Sequence, residues 1–93
     1  MTVVRIPPTL RAEAAGEREI QAEGATVREV LGAVAARFPE LGRRIFEDGE
    51  IARFVNVYVE GEDVRTLGGL ETPVEDESTV ILLPAMAGGD SRR

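Results

Sequence analysis

The 93-residue chain has no cysteine, histidine, lysine or tryptophan. Without cysteine or histidine it has no thiol nucleophile, no imidazole base and no usual zinc ligand set. The absence of cysteine also rules out disulfides, and a cytoplasmic location is expected. Every basic residue is arginine, so the chain cannot be conjugated to itself through side-chain amines. No apolar run approaches membrane-spanning length. Met1 leads straight into Thr2-Val3-Val4-Arg5 with no basic region, apolar run and cleavage site, so no signal peptide is expected. The net charge is -6 and the arginines are scattered, which offers no stripe for phosphates. Neither nucleic acid nor an anionic membrane is expected as a partner, and a basic protein surface fits better.

What is present fits one small domain, able to hide roughly 60 to 70% of its unfolded-chain surface. Thr2 to Ile6 reads as a strand with Val4 and Ile6 on one face and Val3 and Arg5 on the other. Pro7-Pro8 stops it, and after a polar connection Glu17 to Ala22 reads as a second strand anchored by Ile20, completing a hairpin. Thr26-Val27-Arg28-Glu29 has the form of a capping box in which Glu29 reaches back to the Thr26 N–H. A helix follows, with Val27, Val30, Leu31, Val34 and Phe38 as its apolar stripe, and Pro39 ends it. Pro39 to Phe46 reads as a second short helix closed by Asp48-Gly49.

Phe54 to Val59 alternates as a strand, Glu60 to Asp63 as a turn, and Val64 begins a brief return strand. Leu67 to Leu70 reads as a loop, and Glu75 to Ser78 turns the chain into the apolar strand that starts at Thr79. This last strand leaves the sheet at Pro84 and continues through Ala85-Met86-Ala87 to Gly88-Gly89. A long helix across one face of a small mixed sheet is a two-layer α+β domain.

The element order resembles the ubiquitin-like β-grasp fold, and within it the sulfur carriers of the MoaD, ThiS and CysO type. The resemblance covers residues 2–89 and is sharpest in Arg53 to Val59, Glu62 to Arg65, Gly68 to Thr72 and Val80 to Gly89. It implies a carrier domain over residues 1–89 with a flexible tail at 84–89, acting as a protein cosubstrate rather than an enzyme. It also implies that Gly89 is the reacting terminus and that Gly88, Ala87 and Met86 give access to it. An E1-like adenylating enzyme of the MoeB or ThiF type would use ATP to activate the Gly89 carboxylate. Sulfur transfer would make a thiocarboxylate for a downstream sulfur-accepting synthase. The carrier itself would bind no cofactor and no metal and would be a monomer when alone. Glycines suit such a tail because a chain without Cβ atoms passes through a narrow channel.

Asp90 to Arg93 departs from the pattern, since such carriers end at the second glycine and a thiocarboxylate cannot form at an internal peptide bond. One reading is a proprotein trimmed by a JAMM-type peptidase; the other is an inert tail or a cloning remnant.

Strand parity puts Val3, Phe54, Tyr58, Ile81 and Leu83 on the sheet face away from the helix. With Pro84 they form the expected docking surface for the adenylating enzyme, unless the segment Leu41 to Phe46 or the loop at Leu67 and Leu70 covers part of it. Arg53 and Arg65 would rim this face or pair with nearby carboxylates. Two other readings stay open. A noncatalytic ubiquitin-like interaction module would not need Gly89, whereas a protein modifier would join Gly89 to a target lysine.

Overall fold

The computed structural model describes residues 1–84. Five strands form the main sheet: β1 (Thr2–Arg5), β2 (Glu19–Ala22), β5 (Val55–Val59), β6 (Glu62–Asp63) and β7 (Thr79–Pro84). Their order is β2-β1-β7-β5-β6, with β1 and β7 parallel at the centre and the other pairs antiparallel. This is the mixed sheet of the β-grasp fold, and helix α1 (Val27–Arg37) supplies the expected second layer.

The inward positions are those the alternation marks. Val4, Val57, Val80 and Leu82 are fully buried, as are Val27, Val30, Leu31 and Val34 of the α1 stripe. Together with Ile6 and Ile20 they form one core between sheet and helix, while Phe38 at the end of the stripe is only partly buried.

The start of α1 differs from the expected box in one bond. Thr26 Oγ1 accepts from the Glu29 N–H at 3.3 Å as expected, but the Glu29 carboxylate takes the Ala25 N–H at 2.8 Å rather than that of Thr26. The cap therefore reaches one residue further upstream. Pro39 ends α1 and begins α2 (Pro39–Ile45), since a proline at the first helical position loses no intrahelical bond. Leu41 and Ile45 are fully buried beneath it.

Three connections differ from the sequence expectation. The link after Pro7 is a 3-10 segment, Pro8–Ala14, that buries Leu10 and Ala14. β2 consequently begins at Glu19, two residues later than expected. Phe46 leaves α2 for a two-residue strand, β3 (Phe46–Glu47), that pairs with β4 (Glu50–Ile51). Asp48 and Gly49, with φ of 54° and 80°, are the hairpin turn between them and not a helix stop. The return strand β6 ends where it was expected to begin: Val64 is buried and opens a 3-10 turn, Val64–Thr66, capped by Asp63. Gly69–Glu71 likewise forms a 3-10 turn within the expected loop.

Candidate functional site

Strand β7 is the element that delivers the chain end. It lies between β1 and β5, and its last residue, Pro84, stands opposite Val55, the first residue of β5. The tail residues Ala85, Met86, Ala87, Gly88 and Gly89 and the extension Asp90 to Arg93 lie outside the described residues. What the structure defines is the platform from which they leave.

The sheet register builds the outer face of that platform. One row crosses all five strands as Glu19, Arg5, Ile81, Tyr58 and Asp63. The neighbouring row towards the tail pairs Leu83 with Asn56. Val3 lies two residues back from Arg5 on β1, beside Thr79. None of these side chains is fully buried, and Leu83 is 43% exposed. The face is apolar along its middle and charged at both edges, with Arg5 and Glu19 3.7 Å apart at one of them. The segment Leu41 to Phe46 does not cover it: α2 packs against α1 and the 3-10 segment on the other side of the sheet. Leu70 is buried in the core, and Leu67 is exposed.

Phe54 is the exception among the expected docking residues. β5 starts at Val55, so the parity argument stops one residue short of Phe54. The residue is 59% exposed and lines a cleft of about 250 Å³ with Leu10, Phe46, Ala52, Arg43 and Arg44. The structure thus brings Val3, Tyr58, Ile81 and Leu83 onto one face and sets Phe54 on a separate flank beside the Val55–Pro84 pair.

The arginine assignment also changes. Among the described residues the Arg65 guanidinium pairs with no carboxylate. It donates to Asn56 Oδ1 at 2.8 Å and to the carbonyls of Val55 at 3.1 Å and Ala52 at 3.2 Å. Among the described residues Arg53 meets a carboxylate only through its backbone, its N–H donating to Glu47 Oε1. The acidic turns serve backbone N–H groups: Glu60 accepts from Thr79 and Asp63 from Arg65. At the surface of α2, a hydrogen bond from Arg43 holds the Glu40 carboxyl below its ordinary range. Among the described residues no cluster of three or more acidic side chains has metal-binding geometry. The Arg65 clamp escaped sequence reasoning because its acceptors are mostly carbonyls, which no residue pattern reveals.

The model of the ThiS family matches residues 4–89, ending on the second glycine. The chain belongs to the ThiS family. The sulfur carrier protein CysO of Mycobacterium tuberculosis is 39% identical over 89 residues, covering 92% of this chain and 96% of the relative. Small archaeal modifier protein 3 of Haloferax volcanii is 39% identical over 67 residues, with 72% of this chain and 73% of the relative covered. Among solved structures, a chain of the Amycolatopsis orientalis BexX/CysO complex superposes with a TM-score of 0.89 at 44% identity, over 96% of this chain and 100% of that one. These likenesses place this ThiS-family domain with the MoaD/ThiS/CysO-type sulfur carriers of ubiquitin-like β-grasp fold.

Proposed function

We propose that this protein carries sulfur on the carboxylate of Gly89 after residues 90–93 are removed. The observation that carries this reading is that the family match ends at Gly89, five residues beyond a strand locked into the centre of the sheet. A free carboxylate resists nucleophiles, so it must first be activated. One of its oxygens attacks the α-phosphorus of ATP in the active site of a MoeB- or ThiF-type enzyme, and pyrophosphate leaves. Hydrosulfide from the sulfur donor then attacks the acyl carbon, AMP leaves with the electrons of the broken C–O bond, and loss of the proton on sulfur gives the thiocarboxylate. The carrier supplies the acyl group and a docking face, while activation and sulfur transfer belong to its partners. A JAMM-type peptidase suits the trimming step.

The BexX/CysO complex supports docking of such a carrier onto a further partner protein, and a synthase that accepts the sulfur is the partner proposed for this chain. The expected products are cysteine, a thio-metabolite or a sulfur-containing cofactor. Similarity to small archaeal modifier protein 3 favours one alternative, attachment of Gly89 to a target lysine. The chain ending at Gly89, mixed with the adenylating enzyme and ATP, should release pyrophosphate, whereas the chain ending at Arg93 should not. Subsequent appearance of lysine adducts in place of a thiocarboxylate would favour the modifier reading.

A further inference from the structure

The net charge of -6 points to a basic partner, but the charge is distributed unevenly along the sheet. Glu60, Glu62, Glu75, Asp76 and Glu77 lie at the end where β5 finishes and β7 begins. The opposite end, where β1 and β7 both finish, holds a different surface. There a cleft of about 180 Å³ is walled by Pro7, Pro8, Ile81 and Leu83, and among the described residues its only charged lining residues are Arg5 and Arg11. Arg11 is fixed in place by donation from Nε to the Ile6 carbonyl at 3.0 Å. Arg5 is held only loosely, its nearest carboxylate, Glu19, being 3.7 Å away. Through Arg5, Ile6 and Arg11 the cleft adjoins a polar cavity of about 600 Å³ whose lining adds Arg18 together with the carboxylates Glu17 and Glu19, three arginines against two glutamates. Among the described residues the Arg18 side chain has no ion pair.

We propose that this cleft receives an acidic segment of the adenylating enzyme, with an apolar side chain between Pro7 and Leu83 and carboxylates against Arg5 and Arg11. The inference rests on the carrier reading, because Leu83 is followed directly by Pro84 and the tail, so an enzyme that takes Gly89 must pass this corner. It also reverses the expectation from net charge. At close range the partner's tail entrance is acidic, and the carboxylates at the far end of the sheet take no part. Complementary charges at an interface rim set affinity at low salt and lose influence as salt screens them.

The test is the dissociation constant between the full chain and the ThiF-type adenylating enzyme of its own organism, measured calorimetrically at low and raised salt. Arg5→Glu, on an exposed side chain, and Arg11→Gln should each weaken binding, and the Arg5→Glu/Arg11→Glu pair should do so by about tenfold or more at low salt. Thermal unfolding of each variant checks that the fold is kept. The expected loss shrinks as salt rises, and Glu75→Arg/Glu77→Arg leaves affinity unchanged. Unchanged or tighter binding by folded Arg5→Glu, weaker binding by the Glu75/Glu77 variant, or no binding by the wild type would overturn the proposal. Loss of inorganic phosphate binding, or of self-association, with enzyme affinity intact would overturn it too, by showing an anion site or a second copy of the chain there. Binding that responds as expected while the chain ending at Gly89, given the same enzyme and ATP, releases no pyrophosphate would leave the docking site standing and remove the carrier reading instead.

Discussion

Arg65 binds Asn56 side chain to side chain at 2.8 Å, and the same guanidinium holds the carbonyls of Val55 and Ala52. Two acceptors at the start of β5 and one three residues before it are thereby gathered by one cation. Val55 is also the partner of Pro84, so the clamp fixes the strand end against which the tail departs.

Replacing Arg65 with Ala should lower stability by about 1–2 kcal/mol, the net worth of bonds to a charged donor discounted for its exposure. Lys should not restore it, because an ammonium cannot span three acceptors set by a planar guanidinium. Chemical denaturation of the two variants checks both statements. Full stability in Arg65→Lys would show that charge alone matters there.

Two helical glycines should respond in opposite directions to the same change. A Cβ at Gly32, on the exposed side of α1, would meet nothing within 4 Å. Gly32→Ala should therefore stabilise by up to about 1 kcal/mol through helix propensity. A Cβ at Gly42 in α2 would lie 2.6 Å from the Ala35 Cβ, so α1 and α2 touch there with no room for a methyl group. Gly42→Ala should cost about 1–3 kcal/mol by overpacking. Melting temperatures that shift the same way in both variants would contradict this packing account.

Leu83 and Phe54 stand on different sides of the tail's point of departure, and both are largely exposed. Leu83→Asp and Phe54→Asp should each weaken the complex with the adenylating enzyme while changing stability by no more than about 0.5 kcal/mol, as surface substitutions usually do. Because the two sites do not share a face, their effects on affinity should add. An effect from Leu83 alone would confine docking to the sheet face. Unchanged affinity in both would remove the docking assignment.

The sheet and its helix were legible because their inward residues repeat at the strand and helix periods, as Val55, Val57 and Val59 do on β5 and Val27, Val30, Leu31 and Val34 on α1. The short elements were not. Pro7-Pro8 reads as a stop, yet Pro8 also starts the 3-10 segment that buries Leu10 and Ala14. Asp48-Gly49 suits a helix stop and a two-residue hairpin equally well, and tertiary pairing of Phe46 with Ile51 decides between them. For the docking face, parity correctly grouped Tyr58 with Ile81 but could not show that the strand begins after Phe54. Nor could it show that Arg65 is engaged with the backbone carbonyls of Ala52 and Val55.

The central claim is that Gly89 becomes a sulfur-bearing terminus. The most direct test is the intact mass of the protein recovered from its native host before any reduction or alkylation. The account predicts a species ending at Gly89 with one carboxylate oxygen replaced by sulfur. A population that retains Asp90 to Arg93 throughout, even in cells starved of sulfur metabolites, would contradict it and leave an interaction module as the better reading.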